Sequence, residues 1–244
     1  MGPKNLIAIS DVHGRYEELK KLNLENFLKD GNRIVFMGDY IGYGHQTIET
    51  IQYITHLRFT YPNQVITLQG NWENMLYVAL SKGEHSNGVI KVLYARGFRD
   101  EFKKIMNNPV YTRTIFDFIQ TLRSYYIESN YIFTHAGINV ELLKQGKTLK
   151  EVFDGSSGEE LRWYSNFWMQ IDFDCPYTVV YGHVPVQNIY RGIHGKPMQT
   201  IGPIAKGCGI AIDFGASKKK GCLGYIRFDA DGDRSFYTVS VQNI

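Results

Sequence analysis

One cadence, repeated three times in the first 75 residues, constrains this chain most: an apolar run, a glycine-bearing polar loop, then a helical stripe. Residues 6–10 (Leu-Ile-Ala-Ile-Ser) run into Asp11-Val12-His13-Gly14, residues 33–37 into Gly38-Asp39, and residues 65–68 into Gly70-Asn71-Trp72-Glu73. The runs are short and β-branched, as buried strands are. Between them, Tyr16, Leu19, Leu22, Phe27 and Leu28 predict an amphipathic helix over 15–30. Ile48, Ile51, Ile54 and Leu57 predict a second over 47–59. Strand, loop, helix in series is an α/β pattern, and in such sheets ligands gather at the carboxyl ends of the strands.

Residues 75–128 lose this rhythm and read as a largely helical insertion, broken near 83–88 and 107–109. Strand character returns at 131–134, 178–181, 210–213 and 225–229, the last two of hairpin character. No low-complexity linker or fixed-period repeat divides the chain, so residues 1–244 read as one domain. With 43% hydrophobic residues the chain has material for a large core. Cys175, Cys208 and Cys222 form no CxxC pair and are odd in number, which fits a reducing compartment. With no signal-type start and no long apolar window, the expectation is a cytoplasmic protein without a membrane partner. A net charge of +3 leaves no nucleic-acid footprint.

The loop residues carry the chemistry. Asp11 and His13 lie two apart at a strand end, so in an extended backbone both side chains would point to one side. Asp39 and Asn71 end the next two strands, and His135 and His183 end two later ones. Two carboxylates, three imidazoles and an amide oxygen suit Mn, Fe or Zn. Singly, each is most often a cap or a structural group; their recurrence at strand ends is what singles them out.

These residues also resemble a known family. Asp11-Val12-His13-Gly14, Gly38-Asp39, Gly70-Asn71, Thr134-His135-Ala136-Gly137 and Tyr181-Gly182-His183-Val184-Pro185-Val186 look like the calcineurin-like metallophosphoesterases. Within them the likeness is to the phosphoprotein-phosphatase branch with its bacterial and phage members, including symmetrical diadenosine tetraphosphate hydrolases. The resemblance implies a four-layer sandwich of two mixed β-sheets flanked by helices. It implies two divalent cations, manganese first and iron, zinc or nickel as alternatives. Asp11, His13 and Asp39 would bind one metal, and Asp39, Asn71, His135 and His183 the other. A bridging water, made acidic by both cations, would attack phosphorus.

The family's second motif, G-D-x-x-D-R-G, stands here as Gly38-Asp39-Tyr40-Ile41-Gly42-Tyr43-Gly44, and its G-N-H-E as Gly70-Asn71-Trp72-Glu73. The family's proton-donating His, the Asp that orients it and the phosphate-gripping Arg are thus replaced by Trp72, Gly42 and Tyr43. His45 is the first candidate for a displaced acid. Arg15, Tyr43, Trp72 and Arg162 are candidate substrate contacts. A phosphate ester or anhydride hydrolase is therefore expected, acting on a small phosphorylated substrate or a phosphoprotein. Proton donation contributes 10²–10⁴-fold, so good leaving groups are favoured. Two other readings stand beside it: a metal-binding pseudophosphatase holding a phosphorylated ligand, and a Ser/Thr protein phosphatase.

Overall fold

The computed structural model describes residues 5–242. The three opening runs become β1 (Leu6–Ile9), β2 (Arg33–Phe36) and β3 (Val65–Thr67), paired in parallel. Each faces apolar surroundings on both sides, as parallel strands do. Ile7, Ile9, Ile34 and Phe36 enter a core shared with helices. Leu6, Ala8, Val35 and Met37 enter a second core, shared with the other sheet. Two strands follow late in the chain, β9 (Cys222–Phe228) and β10 (Arg234–Ser240). They add antiparallel, giving the order β10-β9-β1-β2-β3.

The second sheet holds β4 (Tyr125–Glu128), β5 (Tyr131–Thr134), β6 (Thr178–Tyr181), β7 (Ile204–Lys206) and β8 (Gly209–Ala211), in the order β4-β5-β6-β8-β7. It too is mixed: β5, β6 and β8 run parallel, and β4 and β7 are antiparallel edges. The Tyr131 and Phe228 rings, 4.5 Å apart between centroids, join the two sheets. The fold is therefore two mixed sheets flanked by helices, as expected. The two late strands do lie in hairpins, but in opposite sheets: β8 turns back on β7, and β9 pairs with β10.

The expected first helix is two, α1 (Tyr16–Lys21) and α2 (Leu24–Lys29). They part at Asn23, whose φ of 53° is left-handed; asparagine is among the few residues that adopt it readily. The second expected helix is α3 (Thr47–Thr60), and it buries the four residues of its stripe. Beyond β3 come α4 (Asn71–Lys82), α5 (Asn87–Ala95), α6 (Arg99–Met106) and α7 (Pro109–Gln120). α7 opens with Pro109 and is capped by Asn108, whose side chain accepts from the N–H groups of Val110 and Tyr111. The stretch read as helical thus ends in strand β4 rather than in helix. No helix among the described residues is long and apolar enough to cross a membrane.

Candidate metal centre

All six predicted ligands come together at the carboxyl ends of β1, β2, β3, β5 and β6, five strands drawn from both sheets. Beyond β1 and β2 the backbone stays paired: Asp11 N–H donates to Gly38 O at 3.2 Å, His13 N–H to Asp39 O at 2.7 Å, and Gly14 N–H to Tyr40 O at 2.7 Å. Asp11 and His13 are not extended, contrary to the sequence expectation. Their φ values are 55° and 50°, and those of Asp39 and His183 are 54° and 68°. Left-handed turns, not strand alternation, aim these side chains inward. Each such residue costs on the order of 1 kcal/mol or more, and strain of this kind clusters at functional sites.

Glu73 fastens the loops together, a role the sequence reading did not assign. One carboxylate oxygen accepts from Asp39 N–H at 2.8 Å and Gly70 N–H at 3.0 Å. The other accepts from Tyr40 N–H at 2.9 Å and Ile41 N–H at 3.4 Å. Burial pushes its carboxyl up to about 7 against the pull of those four donors. Asp39 in turn accepts from the Trp72 N–H at 3.0 Å, at the start of α4. Glycine is required at position 70, since a Cβ there would overlap the Asp39 carboxylate.

Asp11, His13 and Asp39 each present a ligand atom within 4.8 Å of the others, and so do Asp39, His135 and His183. Asp39 belongs to both groups. The His13 ring Nδ1 is 3.0 Å from Ile41 O, and the His135 Nδ1 is 2.9 Å from Met37 O. Each carbonyl accepts a hydrogen bond from the Nδ1–H, so each Nε2 turns a lone pair inward. Burial lowers His13, His135 and His183 to about 4, so all three rings are neutral near pH 7. Asp39 is driven well above the usual carboxylate range by burial and by the negative charge of Asp11 and Glu73. A buried carboxylate cluster of this kind is relieved by cations.

The donor set fits divalent cations on two further observations. Asp11 Oδ1 is buried without a hydrogen-bond partner among the described residues, while its Oδ2 accepts from Ser10 Oγ and from His183 N–H. Asn71 Oδ1 stands 3.0 Å from His135 Nε2 and 3.1 Å from His183 Nδ1, so acceptors converge on one place. Turning the amide over would satisfy these contacts with its NH₂. One cation in each ligand group would satisfy the Asn71 contacts and the orphaned Asp11 oxygen.

A cleft of about 220 Å³ opens onto His13, Asp39, Asn71 and His183. Tyr43 lines it, 38% exposed; burial raises its phenol, which therefore stays protonated. Trp72 is only 2% exposed and packs edge-on to His13, Tyr43 and Phe98, with centroids 5.9, 5.1 and 5.7 Å away. It fills space and offers no open face for stacking. Its ring also explains Gly42, which has a φ of 141°. A Cβ there would meet His13 Nδ1 at 2.5 Å and the Trp72 ring at 3.2 Å.

Three other candidates stand apart from the cleft. Arg15 is buried and donates to Ala216 O at 3.2 Å and Gln242 O at 3.1 Å, so its guanidinium braces the C-terminal backbone. His45 is exposed and does not line the cleft. Arg162 is half-buried outside the cleft lining. Its charge helps lower His135, and its Nε has no partner among the described residues. Sequence reasoning missed Arg96, Asp213 and Lys218, which do line the cleft; no motif marks them, and folding alone brings them there.

The calcineurin-like phosphoesterase family profile matches residues 4–210. The chain belongs to that family. Over 64 residues it is 38% identical to the serine/threonine-protein phosphatase 6 catalytic subunit of Caenorhabditis elegans, a stretch covering 26% of this chain and 19% of that one. A putative diadenosine tetraphosphatase of known structure superposes with a TM-score of 0.58 at 18% identity, covering 99% of this chain and 95% of the other. A cold-active protein-tyrosine phosphatase from a psychrophilic Shewanella species gives 0.57 at 20% identity, covering 96% and 80%. These two superpositions establish the fold. The chain thus combines membership of a phosphoesterase family with two candidate metal-ligand groups.

Proposed function

We propose that this chain hydrolyses a phosphoanhydride or an activated phosphate ester with two divalent cations, held by Asp11, His13, Asp39, Asn71, His135 and His183. The observation that carries the reading is the sharing of Asp39 between both three-residue groups. A carboxylate common to two ligand sets is the usual device of two-metal hydrolysis. When bound, such a pair lowers the pKa of a shared water and offsets charge on the phosphoryl oxygens. Manganese is the first metal to load, given carboxylates mixed with neutral imidazoles. The ligands come from both sheets, so the chain works as one domain. Its three free cysteines fit the cytoplasm.

The chain's own residues then limit the substrate. Trp72 occupies the family's imidazole position with a buried ring that has no acidic proton of use, and His45 faces solvent. Neither Trp72 nor His45 is therefore placed to protonate the leaving group, and loss of the family's imidazole forfeits about 10²–10⁴-fold on poor leaving groups. Nucleotide phosphates and stabilised phenolates lose least. The Tyr43 hydroxyl supplies one hydrogen bond to a phosphoryl oxygen. Turnover of p-nitrophenyl phosphate, its bis-ester and diadenosine tetraphosphate by the manganese-loaded protein tests this. No turnover on any, with phosphate still bound, would favour a metal-binding pseudophosphatase.

The leaving-group reading has its own test in Trp72→His with Gly42→Asp. The two changes belong together, because the Trp72 ring packs where the side chain of Gly42→Asp would go. Turnover of alkyl phosphates should rise more than turnover of anhydrides; an equal change on both would sink the argument. With or without Trp72→His, Gly42→Asp should weaken metal binding by about 10–100-fold, the scale seen when a ligand's orientation is lost, because its Cβ pushes on His13, so the two substrate classes are compared at saturating manganese.

A further inference from the structure

We propose that Arg96, carried by the helical segment between β3 and β4, is the residue that grips the substrate's terminal phosphoryl group. It would take up the task left open where Tyr43 replaces the family's arginine. The proposal rests on the phosphoesterase reading above, and adds a residue from outside every motif that supports it.

Arg96 is held in place by the end of α5. Gly97 N–H donates to Tyr94 O and Phe98 N–H to Leu93 O, both at 3.0 Å, with Gly97 left-handed at φ 86°. This is a Schellman ending, closed by the apolar pair Phe98 and Leu93, both fully buried. Phe98 then packs on Trp72 from one side while the Arg96 guanidinium lies 5.9 Å above the same ring. The tryptophan that displaced the imidazole is thus also the platform on which the new cation rests. An imidazole at position 72 would offer a smaller, polar surface there.

From that platform Arg96 lines the cleft beside Asp39, Asn71 and His183. Its charge is felt at two groups of the cleft wall, favouring the ionised phenol of Tyr43 and disfavouring protonation of His183. Among the described residues it makes no ion pair and donates no side-chain hydrogen bond. Of the other cations nearby, Arg15 braces backbone carbonyls and Arg162 lies outside the lining, while Lys218 shares the cleft wall but has no aromatic platform among the described residues to hold it. A free guanidinium in a cleft that also holds a candidate metal pair suits a dianionic phosphoryl group, which its planar fork can meet with two parallel hydrogen bonds. A phosphodiester, with one fewer charged oxygen, gains less.

The test uses the manganese-loaded protein and inorganic phosphate, titrated by calorimetry, so that it does not depend on turnover. Arg96→Gln should weaken phosphate binding by about ten- to a hundredfold, the scale of a charge-assisted contact, while manganese binding is unchanged. Arg96→Lys, which keeps charge without the fork, should fall between the two. Where turnover is present, Arg96→Gln should lower kcat/KM for p-nitrophenyl phosphate more than for its bis-ester. Phosphate binding by Arg96→Gln equal to wild type overturns the proposal. So does a parallel loss of manganese binding, which would mean that Arg96 only braces the site, or failure of the loaded wild type to bind phosphate. Phosphate binding without turnover by the wild type would defeat the hydrolase reading alone and leave the role of Arg96 intact.

Discussion

Asp39→Asn should abolish hydrolysis and strip the site of at least one of the two cations proposed for it. Asp39 alone belongs to both ligand groups, and its Oδ1 also accepts from the Trp72 N–H. The amide keeps the size of the carboxylate and can keep that hydrogen bond, but it removes the negative charge. Activity should drop by roughly 10²–10³-fold or more, the effect of deleting one preorganised electrostatic group. Metal content, measured by elemental analysis after dialysis, should fall below that of wild type. Folding should survive, because burial and the carboxylates of Asp11 and Glu73 already disfavour the charge of Asp39. Full activity in this variant would place the chemistry elsewhere.

Glu73→Gln should be the most destabilising isosteric change in the site. Four backbone N–H groups from two loops converge on this carboxylate. An amide can accept only with its oxygen, and its NH₂ would face donors, leaving buried groups unmatched. Each unmatched group costs about 1–3 kcal/mol, so a total near 3 kcal/mol is expected. For a chain of this size that is a fall in Tm of roughly 6–12 °C, readable by scanning calorimetry. The same variant should bind manganese about 10–100-fold more weakly, because the loops carrying Asp39 and Asn71 lose their common anchor. A Tm within a degree or two of wild type would mean that those N–H groups do not depend on Glu73.

The first half of the sheet framework was legible because buried parallel strands announce themselves. Residues 6–10, 33–37 and 65–68 are apolar on both faces and stop at glycine-bearing loops, and the structure ends the strands within a residue of those limits. The strands that went unread are edges. β7 has three residues, and β10 alternates no apolar face, its first four residues being exposed. An edge strand is specified by the partner it pairs with more than by its own pattern. The break between α1 and α2 was visible as an irregular spacing but not as a left-handed asparagine, since φ at one residue leaves no periodic trace.

At the site, the sequence determined which residue types stand at strand ends and in what order. It also carried the exchange of an imidazole, a carboxylate and a guanidinium for Trp72, Gly42 and Tyr43. Those are facts of local composition, and a motif carries them whole. Only the tertiary structure decided the rest. It turned Asp11, His13, Asp39 and His183 inward through left-handed backbone, joined two loops through Glu73, packed Trp72 against His13, Tyr43 and Phe98, and tied Arg15 to the C-terminal backbone. It also brought Arg96 to the cleft from a helix end 24 residues beyond Trp72. The reason is physical: a side chain's direction and neighbours depend on backbone torsions and on contacts between distant segments, and neither is written in the identity of the residue itself.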